Sequence, residues 1–180
     1  MARSGKILPT RIRRLQYDAL MAPHLSYAVI VWDGCLREQE MELQRLHNFA
    51  VKTIAGPNCG SSARAMQDLG MIPLSEKRKI HHAVMAHKLI NGKGPQELCS
   101  RFKNIKESEQ DKSKLANRLR SKSKMEIQPK QHRTSRFERS TLYRTAKAWN
   151  RTDPGTRKSE NTSSFKVMTQ REFTRAYWQT

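Results

Sequence analysis

From Leu36 to Ala55 the chain is restricted to one kind of regular structure. Leu36, Leu43, Leu46, Ala50 and Ile54 are apolar at intervals of seven, three, four and four, while Glu38, Glu40, Glu42, Arg45 and Lys52 stand on other faces. Recurrence at three and four residues predicts an amphipathic helix of about five turns. Its acids come early and Lys52 comes late, as the helix dipole prefers. Gly56-Pro57 stops it. A helix that is apolar on one side must bury that side against other elements, so the neighbouring segments have to supply apolar faces of their own.

They carry the pattern to do so. Pro9 and Thr10 can open a helix with Ile12, Leu15, Ala19 and Leu20 on one face. Pro23 suits the first turn of a second, because its missing N–H would be unpaired there anyway. The run Leu25, Ala28, Val29, Val31, Trp32 is short and nearly all apolar. Periodicity alone leaves such a run open between helix and buried strand; helix is the expectation, ended by Asp33-Gly34. Ser62 is expected to cap a short helix through Leu69, closed by Gly70. Pro73 to Ile90 reads as another helix, with Ile80, Ala83, Val84, His87 and Leu89 inward, before the break Asn91-Gly92-Lys93-Gly94-Pro95. Pro95 to Phe102 can form one more short helix. The expected fold is mainly α, a small helical bundle over about residues 9–102. Residues 103–135 are rich in Lys, Ser and Gln with no sustained period, and read as a basic linker or weakly ordered arm. Residues 136–180 form a C-terminal helical segment. Leu142, Tyr143, Ala146 and Trp149 are spaced for a helix over Phe137–Asn150. A turn-rich break covers Thr152–Asn161, and Phe165, Met168, Phe173, Tyr177 and Trp178 mark a last helix over Thr162–Gln179.

Charge narrows the choice of partner. The 180 residues carry a formal charge of +19 and only 36% hydrophobic residues. Residues 1–100 hold 14 Lys and Arg against 8 Asp and Glu, and residues 101–180 hold 21 against 8. So basic a balance favours a polyanion, nucleic acid before an acidic membrane surface. Three cysteines, Cys35, Cys59 and Cys99, lie 24 and 40 residues apart, which fits a reducing compartment better than a disulfide scaffold. The N-terminus lacks the apolar core of a secretory signal, and the run Ala19–Trp32 is broken by Pro23-His24 and too short to span a bilayer. Nucleus or cytoplasm is the expected location, with no membrane partner.

The candidate binding residues are basic. Arg11, Arg13 and Arg14 crowd the first turn of a helix, where the dipole disfavours cations. Such a cluster suits an external anion or a solvated basic face. Lys77, Arg78 and Lys79 lie near the start of another helix, and Lys112, Lys114, Arg118, Arg120, Lys122 and Lys124 recur at two to four residues along the arm. This spacing suits a phosphate backbone, which confers affinity without sequence readout. Tyr143, Trp149, Tyr177 and Trp178 could stack on bases, although aromatics at helical spacing more often belong to a core. Other chemistry finds little support. His81, His82 and His87 are separated by one, five and six residues, never the four that a zinc helix needs. Asn91–Gly94 lacks P-loop spacing, and no serine sits in a GxSxG elbow. No cofactor or metal is expected.

A series of landmarks adds a more specific reading. Tyr17, then Leu20-Met21-Ala22-Pro23-His24-Leu25-Ser26-Tyr27, Val31-Trp32, Leu43-Gln44-Arg45, Ala50 and Ile54 resemble the region after the polymerase palm in non-LTR (LINE-type, jockey-like) retrotransposon reverse transcriptases. Leu69-Gly70-Met71-Ile72-Pro73-Leu74, Lys88-Leu89-Ile90-Asn91-Gly92 with Pro95 and Leu98, Asn117-Arg118, Trp149-Asn150 with Pro154, and Ser163-Ser164-Phe165-Lys166 follow in the family's order. The resemblance covers roughly residues 9 to 170. It departs at Asp153, where the family has leucine, at an inserted residue beside it, and over 103–135. It implies a thumb-like helical domain that grips an RNA or RNA/DNA template–primer duplex by its backbone, a palm domain upstream as partner, and apolar surface near Tyr27 and Trp32 facing that palm. The family is an RNA-directed DNA polymerase that holds two metal ions with paired aspartates. Asp18, Asp33, Asp68, Asp111 and Asp153 are never adjacent, so this chain is expected to be non-catalytic alone. Two other readings stay open: a free-standing basic RNA- or ribosome-binding protein, and a helical interaction module that pairs through Leu36–Ile54.

Overall fold

The computed structural model describes residues 8–102, 127 and 134–179. The fold is mainly α, with no strand among the described residues. The chain divides into two compact units. The first comprises residues 1–78 with 174–180 and the second residues 79–173, so the division falls within a helix.

The first unit begins with α1 (Thr10–Leu20), which follows Pro9. Two short helices come next, α2 (Ala22–Ser26), with Pro23 in its first turn, and α3 (Val29–Trp32). Ala28 separates them in a left-handed conformation, φ +47°, which a residue with a Cβ adopts only at a cost. α4 (Arg37–Ala55) is the long helix expected from the sequence, and α5 (Ser62–Asp68) packs on it. The cap of α5 is Ser61, one residue before the expected Ser62; its Oγ accepts from the Arg64 N–H at 3.2 Å. Gly70 then takes φ +60° and turns the chain so that Met71, Ile72 and Leu74 are all buried.

Two faces differ from expectation. On α4 the buried stripe is His47, Ala50, Val51 and Ile54, rotated about one residue from the predicted line; Leu36 and Leu46 are exposed and Leu43 is half-buried. On α1 the difference is larger. Arg13 and Tyr17 turn inward, while Ile12, Leu15, Ala19 and Leu20 all face outward, Leu15 with 64% of its surface exposed. The reason lies in polar partners. Tyr17 finds His47 on α4, and the Arg13 guanidinium donates to the Thr53 carbonyl at 2.7 Å and to Thr10 Oγ1 at 3.0 Å. Gly56 closes α4 at φ +98°, and a Cβ there would stand 3.4 Å from the Arg13 guanidinium. The core of this unit is Tyr17, Ala50, Val51, Ile54, Ala65, Met66 and Met71, with Trp178 against it.

α6 (Leu74–Ile90) supplies residues to both units. Ile80, Ala83, His87 and Leu89 are buried as its period predicts, and Val84 is half-buried. In the second unit α7 covers residues 96–102, α8 is Ser135–Glu138, α9 is Thr141–Arg151 and α10 is Pro154–Arg157; α11, Thr162–Trp178, contributes to the second unit through Phe173 and to the first beyond it. Ser140 Oγ caps α9. The expected Phe137–Asn150 helix is thus α8 and α9 with a turn between them. Leu142 and Tyr143 are half-buried, and Thr145, Ala146, Ala148 and Trp149 fill the inner face. On α11 Phe165, Thr169 and Phe173 are buried, while Met168 is exposed.

Ile127 sits inside the stretch read as an arm, yet it is buried among Ala83, Ala86, Leu89, Cys99, Phe102, Ala146, Trp149 and Phe165. Asn150 holds it: the amide oxygen accepts from the Ile127 N–H at 2.8 Å, and the amide nitrogen donates to the Ile127 carbonyl. Asp153 has a clear local role. It caps α10, its carboxylate accepting from the Gly155 N–H at 2.8 Å.

Candidate nucleic-acid interface

The structure separates the predicted basic residues by role. Arg13 is buried in the bonds just described. Arg78 is buried too, its Nε 2.9 Å from Asp33 Oδ1 and its Nη2 3.7 Å from Glu40, with the guanidinium 5.8 Å from the Trp32 ring centre. Both are among the expected contacts, and both are engaged in bonds within the fold. Lys112, Lys114, Arg118, Arg120, Lys122 and Lys124 lie outside the described residues. Arg11 and Lys79 are exposed, Lys79 within the second unit.

Arg14 and Lys77, far apart in sequence, come together in the first unit. Arg14 pairs with Asp18 at 3.0 Å and donates to the Leu69 carbonyl at 3.2 Å. Lys77 Nζ donates to Tyr17 Oη at 3.4 Å and lies 5.4 Å from the centre of that ring. A directed chain continues inward. His47 Nε2 faces the Ile72 carbonyl at 3.1 Å, which only accepts, so that nitrogen carries the proton. His47 Nδ1 therefore accepts from the Tyr17 hydroxyl at 2.9 Å. Lysine donates to tyrosine, tyrosine to the neutral histidine, and histidine to the backbone carbonyl.

Charge in this cluster is out of balance. Burial, and then the Arg14 guanidinium, hold the Lys77 pKa down at about 8, with Asp18 opposing. No carboxylate forms an ion pair with Lys77 among the described residues. The amine is still mostly protonated at neutral pH, and an incoming anion would relieve its repulsion with Arg14. Burial, with Asp18 second, pushes the Tyr17 hydroxyl up to about 12, so it remains a neutral donor. Sequence reading missed Tyr17 and His47 as polar anchors; their only signal was a tyrosine and a histidine on otherwise apolar or charged helix faces.

The other candidates are structural. His82 is buried 3.0 Å from Thr145 Oγ1, and His87 donates to the Ser159 carbonyl at 2.6 Å while stacking on Phe165. Trp149 is buried between Phe165 and Arg157 and cannot stack on a base. Tyr143 meets Phe137 edge-on, and Tyr177 meets Trp178 the same way. No group of three metal-ligating side chains exists among the described residues, and no helix among them is long and apolar enough to cross a membrane.

The buried histidine gives the first unit an acid limit. Burial, then the charge of Lys77, lower the His47 pKa from 6.5 to about 4. Above pH 6.5 the ring is neutral whether folded or not. Between pH 6.5 and 4 the unfolded chain takes up a proton that the fold refuses, so stability falls as pH drops through that window, by up to about 3 kcal/mol. Urea titrations at pH 7 and pH 4.5 should show this decline, and His47→Gln should flatten it.

Comparison of the chain with protein-family models, with curated proteins and with solved structures gave no match.

Proposed function

We propose that this chain is the non-catalytic post-palm, thumb-like part of a non-LTR retrotransposon reverse transcriptase, and that it holds template–primer nucleic acid through phosphate contacts in the nucleus or cytoplasm. The observation that carries the reading is the ordered series of landmarks from Tyr17 to Lys166, together with the places they occupy. Gly70 and Gly92 take φ +60° and +67°, conformations that favour glycine. Met71, Ile72, Leu89, Trp149 and Phe165 are core residues, and Asn150 pins Ile127. A thumb of this kind would keep such residues because its shape depends on them. The nucleic-acid part of the reading is supported by the charge of +19 and by Lys77, a cation beside Arg14 that forms no ion pair among the described residues.

Contact through phosphates makes affinity a function of salt. With roughly 6–10 phosphates neutralised, binding of an RNA/DNA duplex should weaken about 10³–10⁵-fold between about 50 and 200 mM salt. Fluorescence anisotropy across that range is the test, and a flat response overturns the mechanism. Lys77→Gln should lower the slope of log affinity against log salt by about 1, equally for unrelated sequences. It should not weaken the fold, because it removes a half-buried charge.

A further inference from the structure

The outward face of α4 carries exposed apolar side chains among charges of both signs. At about 100° per residue, Glu38, Glu42, Arg45, Leu46, Phe49, Lys52 and Thr53 fall within one arc of roughly 120°, opposite the buried His47, Ala50, Val51 and Ile54. On that arc Leu46 is 52% exposed and Phe49 59%. Leu46 and Phe49 form an exposed apolar pair on that face, bordered on one side by Glu38, Arg45 and Lys52, the arrangement that anchors a helix–helix contact. The charge says what kind. α4 carries three bases, Arg37, Arg45 and Lys52, and three acids, Glu38, Glu40 and Glu42, so it is neutral within a chain of +19. With Glu38 and Glu42 on it, the face is unsuited to a phosphate backbone.

The order of the charges selects the partner. Acids occupy the first half of the arc, and Arg45 and Lys52 follow. A parallel copy would set Glu42 against Glu42 and Lys52 against Lys52. An antiparallel copy sets Glu42 against Lys52 twice and brings Leu46 and Phe49 of both copies to the two-fold axis, the self-complementary arrangement of an isologous dimer. We propose that two copies of this chain associate through antiparallel pairing of α4 about Leu46 and Phe49. This stands independently of the nucleic-acid reading.

The test uses the full chain, freed of nucleic acid by nuclease and high-salt washing, in sedimentation equilibrium at about 0.15 M salt. Wild type should show a concentration-dependent dimer. Leu46→Asp and Phe49→Ser should each abolish it with an unchanged circular dichroism spectrum, since both side chains lie outside the core. Glu42→Lys alone and Lys52→Glu alone should each weaken it about tenfold or more by setting like charges opposite each other, and an equimolar mixture of the two variants should restore it. A wild-type monomer at about 100 µM overturns the proposal. So does a dimer that survives Leu46→Asp, or one that is indifferent to the single charge reversals.

Discussion

Arg78→Met is expected to destabilise the first unit by about 3–5 kcal/mol, measured by urea unfolding at pH 7. The size follows from what the substitution leaves behind. Asp33 retains only 4% of its surface in contact with solvent, and its carboxylate lies 2.9 Å from the Arg78 Nε. Removing the guanidinium takes this ion pair from a carboxylate that has surrendered its hydration, and Glu40 loses a more distant cation at the same time. Methionine fills much of the same volume against Trp32, so the loss is electrostatic and not a cavity. A second substitution separates these causes. Arg78→Met combined with Asp33→Asn should recover a substantial part of the loss, because the remaining buried group is then neutral. If the double variant is as unstable as the single one, packing against Trp32 is what the arginine provides. Any Arg78→Met protein that still folds should keep the salt slope of the proposed nucleic-acid contact, because the side chain is buried.

Arg78 also shows where sequence stopped being legible. Lys77-Arg78-Lys79 looks like one basic patch, but successive helical residues point about 100° apart. Three neighbours therefore face three ways: Lys77 half-buried beside Tyr17, Arg78 buried against Asp33, Lys79 exposed. Nothing local announces that Asp33, 45 positions earlier, will arrive to receive the middle one. α1 poses the same difficulty. Its apolar stripe was plain in Ile12, Leu15 and Ala19, and periodicity reports which side of a helix is apolar. It does not report whether anything covers that side. Here the opposite side turned inward because His47 and Thr53, three to four turns along α4, offered acceptors to Tyr17 and Arg13. What sequence conveyed well was length and punctuation. α4 stops at Gly56 and α6 runs from Pro73 to the Asn91-Gly92 turn, set by glycines free to take positive φ and by a proline that cannot donate, and α11 begins at Thr162 after Asn161, whose side chain accepts from the Ser163 N–H.

The largest packing effect should come from Phe165→Ala in the second unit, a loss of about 3–5 kcal/mol in urea unfolding. Phe165 is fully buried. Its ring stacks on His87 with centres 4.4 Å apart and planes 22° off parallel, and on Trp149 at 5.8 Å and 24°. Alanine would remove the slab between two aromatic rings and leave a cavity that neither can fill without moving. His87 is tied to the Ser159 carbonyl at 2.6 Å, and Arg157 holds the far side of Trp149 while donating to the Thr152 and Asn150 carbonyls. Because those neighbours are anchored by hydrogen bonds, the site cannot collapse cheaply, which places the cost toward the upper end. Phe165→Leu keeps most of the volume and should cost less than half as much. With Trp32 and Trp178 replaced by Phe, Trp149 fluorescence provides a local reading of the same event: the Ala variant should shift its emission to the red as water enters, and the Leu variant should not. Equal losses in the two variants would mean that the aromatic stack itself, worth about 0.5–1.5 kcal/mol beyond buried area, outweighs the cavity at this position.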